Sequence, residues 1–482
     1  MSFFRPKSFV QEMTIPDKYL RFVTFEDMLF EDGSLDFDQI IKFVTQNFQE
    51  FEYEYIYRTI LSAPLKLPKK LLEFYNLYLK LSEYTGIKLT ADQASFAHLR
   101  IGRLMFFDGL FTVDDFKILK NFEPDNISIF NKIFGTNPDY SDGISRFICI
   151  HGYEENSLQY ILKYDLIDEL TEVTSQVNFD INQKLPVNRY DFNKNEENLS
   201  LISISAFYGS INCFKYLMLN NVEIDPFLFI YAIIGGNLEI LHIVKRELDK
   251  RGIFNASNKS LVTAGLYSRY SIFDWLISEN YDNDLISYIY VSKDLNTRMT
   301  LYYKQEDPSF NKVELDKLWP IHIVSIDGLY PQLLILLDSG SDPNMLVDID
   351  MSPSLNSLSI AIFSYNEAIV KLLLELGANP NWTNPTKLNW GPLHFASFSN
   401  VFLCVRTLIE HGADPFAVSI FRKGRTYLDE AVRQNKIGIA NLLKQYGAME
   451  TEPCFKEEFL PIDLAKSENI KEYLSDVMKS IK

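Results

Sequence analysis

Cysteine is scarce in this chain. The four present, Cys149, Cys213, Cys404 and Cys454, lie far apart and none forms a CxxC pair, which excludes a disulfide framework and a thiolate zinc site. A reduced, intracellular and cytoplasmic setting is the expectation. Histidine is equally thin: the six are scattered without metal-ligand spacing, so neither metal nor cofactor is expected. Long apolar runs are missing too. The most apolar stretch, Pro226–Ile234, falls far short of the roughly 20 residues a membrane span requires. The start, MSFFRPKSFV, lacks the apolar core of a leader, and KSIK at the end carries no lipidation signal. Positive charge is in deficit, with 47 Lys and Arg against 64 Asp and Glu, a net charge of −17. Phosphate binding is dominated by Lys and Arg, so nucleic acid is excluded as a partner and anionic membrane surfaces are disfavoured.

Catalytic constellations are also lacking. Cys149-Ile150-His151 sets a thiol near an imidazole, but helix neighbours point apart and no third group orients them. Gly235-Gly236 has no Lys-Ser/Thr after it and no strand before it, so it is not a phosphate loop. No paired carboxylates stand out among the surface acids. The expectation is a protein that is not an enzyme.

What is present is repetition. A hydrophobic content of 47% with 23% charge marks a folded chain, and 14% aromatics can fill a continuous core. Gly391–Phe416, GPLHFASFSNVFLCVRTLIEHGADPF, reads as a compact unit. Pro392 suits a helix start, where its missing N–H is harmless. Val405, Leu408 and Ile409 mark a second helix, Gly412 its end, and Asp414-Pro415 a turn. The small residue of the first helix recurs as Val324, Ala361, Ala396, Ala431 and Ala465, at spacings of 37, 35, 35 and 34. The closing glycines recur as Gly340, Gly377, Gly412 and Gly447. Such units bury their apolar faces only by stacking on copies of themselves. Trp319-Pro320-Ile321-His322-Ile323-Val324 and Gly391-Pro392-Leu393-His394-Phe395-Ala396 resemble the T-P-L-H-x-A signature of ankyrin repeats. The implied fold class is all-α: an ankyrin-repeat solenoid of helix-turn-helix units with short loops or hairpins, preceded by a helical N-terminal region.

In chain order, residues 1–35 read as an irregular arm and 36–177 as a helical region packed on the array as its cap. Within it, stripes run through Ile40–Phe48, Leu65–Tyr84 and Ala91–Phe107, with shorter helices around 113–121, 126–134, 141–151, 154–163 and 166–173. From Thr24 to Tyr57, nine acids face one lysine; a solvated helical face is expected, with a docking patch for a basic partner as the alternative. Asn178–Asn198 reads as a polar loop. Residues 178–318 hold degenerate repeats, with small positions at Ser205, Ala232 and Ala264, turns at Gly209 and Gly236, and an insertion or decayed repeat over 281–318. Regular repeats fill 319–449, and 450–482 supplies a polar-faced capping repeat. Helix pairs such as SAFYGSINCFKYLMLNN and YAIIGGNLEILHI resemble those of large protist ankyrin families, in which degenerate repeats precede regular ones. That likeness implies an architecture and no activity.

The resemblance implies partners that are other proteins, held on the concave face by loop tips and exposed first-helix positions. The matching residues are Asp327, Asp348, Asp350, Phe363, Trp382, Trp390, Phe398, Phe421, Arg422, Lys423 and Arg433. Aromatics and Arg dominate binding hot spots, which favours the tryptophans, the phenylalanines and the basic tip. For His322 and His394 the resemblance implies a structural hydrogen bond to loop backbone. The leading expectation is a non-enzymatic protein-interaction scaffold, with a monomer favoured. One alternative is a substrate-selecting adapter whose N-terminal helices recruit machinery such as a ubiquitin ligase. A remote alternative is an enzyme with its site in the N-terminal region.

Overall fold

The computed structural model describes residues 10, 13–30, 35–88, 101, 104–105, 108, 110, 150–187, 198–225, 227–254, 259–279, 297–306, 310–312, 318–347, 355–383, 391–399, 401–416, 418–419, 425–433 and 436–447. The chain divides into two compact units. The first comprises Met1–Gln49 and Ile56–Glu306, the second Glu50–Tyr55 and Asp307–Lys482.

The first unit opens with α1 (Asp17–Phe30) and α2 (Phe37–Asn47). Asp36 starts α2 by accepting the Gln39 N–H at 3.0 Å, and Ile40, Ile41 and Val44 form its buried stripe. Next comes α3 (Tyr53–Ser62), whose first residues belong to the second unit. Two single-turn 3₁₀ segments, Ala63–Leu65 and Pro68–Lys70, precede α4 (Leu71–Thr85). The sequence stripe places a helix over Leu65–Tyr84; Pro68, which has no N–H to donate, holds its true start back to Leu71. Gly86, at φ 72°, ends it. Aromatics fill this core: Phe22 and Phe25 pack edge-on against Phe48 at 5.6 and 5.9 Å, and Tyr57 against Tyr78 at 5.4 Å. Most of the expected helix 91–107 and all those expected within 113–149 lie outside the described residues.

The acidic stretch is only in part the solvated face expected of it: Asp36, Asp38 and Glu50 are exposed, but others are not. Glu26 is buried and caps α13 (Thr297–Glu306), accepting the Thr297 N–H at 2.8 Å and its hydroxyl at 2.7 Å. Asp27 pairs with Arg298. Glu52 and Glu54 are buried as well, while Asp38 remains exposed and bridges to Lys80. Period and charge show that these acids share a region of helix; they do not show that another helix covers it.

Helix pairs then stack: α5 (Leu158–Tyr164) with α6 (Ile167–Thr174), α7 (Leu201–Phe207) with α8 (Ile211–Leu219), α9 (Leu228–Gly235) with α10 (Leu238–Lys250), and α11 (Lys259–Leu266) with α12 (Tyr270–Ser278). First helices α5, α7, α9 and α11 lie side by side, as do second helices α6, α8 and α10. Ser205, Ala232 and Ala264 are fully buried on first helices, as their spacing requires. Each pair turns through a left-handed residue: Asp165, Gly209, Gly236 and Ser268. The stack starts at α5–α6, earlier than the boundary at 178 expected from the sequence. Asp165 replaces the turn glycine, and its carboxylate caps α8 by accepting the Cys213 N–H at 2.8 Å. The segment expected as a polar loop contains β1 (Lys184–Pro186), paired antiparallel with β2 (Asn198–Ser200). Arg269 fixes another turn, donating to the Ile234 carbonyl from Nε at 3.0 Å and Nη2 at 2.8 Å, and from Nη2 to the Lys66 carbonyl at 3.3 Å.

Candidate protein-binding surface

The second unit stacks α14 (Pro320–Asp327) with α15 (Tyr330–Asp338), α16 (Ser357–Phe363) with α17 (Glu367–Glu375), α18 (Pro392–Ser399) with α19 (Phe402–Glu410), and α20 (Tyr427–Arg433) with α21 (Ile437–Gln445). First helices pack on first helices and second on second. Ala361, Ala396 and Ala431, the small positions read from the spacing, are fully buried and let the first helices approach closely. Gly340, Gly377, Gly412 and Gly447 take φ of 84°, 99°, 87° and 85°, the left-handed closure their period demands. Between pairs, antiparallel strands project: β3 (Leu346–Val347) with β4 (Leu355–Asn356), and β5 (Val418–Ser419) with β6 (Arg425–Thr426).

Side chains tie each repeat to the next. Asn344 Nδ2 donates to the Gly377 carbonyl at 3.1 Å, and its Oδ1 accepts the Asn379 N–H at 2.7 Å. Asn381 repeats this toward Gly412 at 2.9 Å and Asp414 at 2.7 Å. In the first unit, Asn182 Oδ1 accepts the Glu223 N–H at 2.9 Å, so one of the two rung bonds recurs where the signature has decayed. Asn311 reaches the Ser339 carbonyl at 3.0 Å from within the region expected to hold an insertion or decayed repeat.

His322 is fully buried. The Trp319 N–H donates to its Nδ1 at 3.3 Å, which leaves Nε2–H to donate to the Met345 carbonyl at 3.0 Å. Burial lowers its pKa, partly opposed by the Met345 bond. His394 copies the first contact, its Nδ1 accepting the Gly391 N–H at 3.0 Å, and its ring lies 4.3 Å from that of Tyr427. His322 thus braces the Met345 loop backbone against its helix, while the His394 bond secures the start of its own helix at Gly391. His151, weighed above as a base, is occupied differently: its Nδ1 lies 2.8 Å from the Tyr164 hydroxyl, and its carbonyl accepts the buried Lys163 ammonium at 3.0 Å. Cys149 lies outside the described residues. Burial pushes the Cys213 thiol up to about 12, helped by Asp165, and raises that of Cys404 well above its ordinary value, which favours the protonated thiol at both. Among the described residues, no group of His, Cys, Asp or Glu could hold a metal ion, and no helix is long and apolar enough to cross a membrane.

Phe363 ends α16 and is 40% exposed, its ring 4.9 Å from that of Phe395 on the next first helix. Asp327 ends α14 half-buried, and Trp382 lies half-buried in the loop after α17. Phe398 and Arg433 sit on α18 and α20, near the ends facing the turns. Asp348, Asp350, Trp390, Phe421, Arg422 and Lys423 lie outside the described residues, as does the expected capping repeat over 450–482.

Sequence reasoning missed one feature, the short segment Glu50–Tyr55. Phe51 lies under the Lys371 ammonium, 3.8 Å from ring centroid to Nζ, and 6.4 Å from the Tyr330 ring. The alternation Glu50-Phe51-Glu52-Tyr53-Glu54-Tyr55 is the signal that could have revealed it.

The family model described as "Ankyrin repeats (3 copies)" matches residues 321–418 and 358–452, spanning α14 through α21.

Proposed function

We propose that this chain, whose residues 321–452 match ankyrin repeats, a module that serves protein–protein interaction, is a non-enzymatic scaffold that holds partner proteins on the first-helix face and loop tips of the second unit. The observation carrying this reading is Phe363. It is a large aromatic left 40% exposed at the turn end of a first helix, in a stack whose other described first-helix apolar side chains are buried or half-buried. Exposed aromatics of this kind anchor interfaces. Half-buried Trp382, in the loop after α17, is the second candidate anchor. The buried cysteines and backbone-braced histidines support a structural role for the groups that chemistry would otherwise use. The reading places the protein in the cytoplasm, as a monomer, without cofactor or metal.

Affinity capture from native lysate, comparing wild type with a Trp382→Ala, Phe398→Ala, Arg422→Ala triple variant, tests it. Loss of specific partners in the variant is expected. An unchanged partner set would remove this face from consideration.

A further inference from the structure

Residues Glu50–Tyr55 belong to the second unit, although the chain on either side of them belongs to the first. Their 3₁₀ turn packs on α17, a second helix of the stack. Phe51 is the anchor, held between the Lys371 ammonium at 3.8 Å and the Tyr330 ring at 6.4 Å. Lys371 also faces Glu375 at 3.9 Å, and Glu367 lies one turn earlier with its carboxylate accepting the Thr407 hydroxyl at 3.2 Å. On either side of Phe51 the segment carries Glu50 and Glu52, and beyond them Glu54, which lies near Cys404 on α19.

This contact has the form of a peptide on a receptor. A segment of six residues sets the Phe51 ring between the carboxylates of Glu50 and Glu52, and the stack supplies one cation and one aromatic from neighbouring repeats. Nothing in the rung and hairpin bonds that join the repeats passes through the segment. Further along the same layer, the first turn of α19 leaves Phe402 and Leu403 at 43% and 44% exposure, so the apolar surface continues past the segment.

We propose that the second-helix face centred on Tyr330 and Lys371 is a binding site for a short acidic–aromatic peptide, filled in cis by Glu50–Tyr55 and open to a partner of the same pattern that displaces it. Charge and shape both select the occupant. A basic peptide would set like charge against Lys371, and an aliphatic residue in place of Phe51 would forgo the attraction between cation and ring. A tethered segment competes at an effective concentration of the order of millimolar, so a displacing partner needs higher intrinsic affinity or a second point of attachment.

The test is fluorescence anisotropy of a labelled peptide spanning residues 48–57, titrated with full-length protein. Phe51→Ala in the protein weakens the cis competitor and is expected to tighten peptide binding about tenfold relative to wild type, the scale of one aromatic–cation contact. Adding Lys371→Glu to that variant should abolish binding. Equal binding by wild type and Phe51→Ala, or binding that survives Lys371→Glu, overturns the proposal. Circular dichroism establishes that the variants fold. A second measurement needs no variant: excess peptide should speed hydrogen exchange over residues 50–55 of the wild-type chain as they are displaced. Exchange there that is unaltered at saturating peptide also overturns it.

Discussion

Gly235→Ala sets two well-understood effects against each other. Gly235 is the last residue of α9, and helix propensity alone favours alanine over glycine there by at most about 1 kcal/mol. Packing says the opposite. A Cβ built on Gly235 would lie 2.0 Å from the Ala206 carbonyl oxygen on α7 and 2.8 Å from the Gly209 nitrogen. Ordinary contact begins near 3.4 Å, so the first helices must separate by more than 1 Å at the point where they lie closest. The obstacle is main chain on both sides, with no side chain able to rotate away. Overpacking typically destabilises by about 1–3 kcal/mol, and this site belongs at the upper end. The net expectation is a loss of about 2 kcal/mol, or roughly 30-fold in the local opening equilibrium. Stacked repeats respond locally, so native-state hydrogen exchange is the suitable assay. Amides of α7–α10 should exchange faster while those of α16–α19 are unchanged. Gly438→Ala is the control: its Cβ would meet only Phe402, at 3.8 Å, so the same substitution on α21 should be neutral or stabilising by about 0.5 kcal/mol. A neutral or stabilising Gly235→Ala would refute the close approach of α7 and α9.

Other expectations are shorter to state. Asn344→Ala removes both rung bonds, to Gly377 and from Asn379, and should lower the urea midpoint by the equivalent of about 1–2 kcal/mol. His322 has a folded pKa below its ordinary 6.5, so the unfolded chain takes up the proton first; its contribution is complete above pH 6.5 and is lost as pH falls through that value. Urea titrations from pH 7.5 to 5 should therefore show a steeper decline for wild type than for His322→Gln, and parallel declines would refute the buried neutral imidazole. Cys213 and Cys404, fully buried with raised pKa, should resist alkylation at pH 8 in the native protein and react once urea unfolds it, as read by site-resolved mass spectrometry.

How much of this was legible depended on which physical constraint wrote the residue. The left-handed closures at Gly340, Gly377, Gly412 and Gly447 and the buried small positions from Ser205 to Ala431 were readable, because backbone conformation and close helix approach admit few residue types. The α5–α6 pair was not readable as a repeat. Its turn uses Asp165 and its closing position Asn178, both in the left-handed region, where Asn and Asp are the common non-glycine residues. The partner of a charge was invisible as well. Glu26, Asp27 and Asp38 look alike in the sequence, yet one is buried as a helix cap, one pairs with Arg298, and one stays in solvent. Of the candidate surface, the position of Phe363 followed from the repeat register, while its ring contact with Phe395 depends on the spacing between repeats.

The rungs explain why the repeats decay as they do. An Asn at this position satisfies a carbonyl and an N–H of the following repeat at once, and a hydrophobic substitute would leave both without that partner. Asn182, Asn344 and Asn381 each reach into the next repeat, whereas the T-P-L-H residues are absent from α7, α9 and α11. Helix starts can be secured in several ways: Ser200 caps α7 through its hydroxyl, and Asn356 caps α16 through its side-chain oxygen, each without the histidine. A rung between repeats has fewer substitutes, because it must span two separate turns in one geometry. At the next equivalent place, Phe416 follows Asp414-Pro415 where Asn would stand, and its N–H turns back to Asp414 Oδ1 at 2.9 Å. The α18–α19 repeat therefore joins α20–α21 through helix packing and the β5–β6 strands without this rung. Phe416→Asn should restore the bond and stabilise that junction by about 1 kcal/mol, and an unchanged exchange rate in α20 and α21 would refute the role given to the rungs.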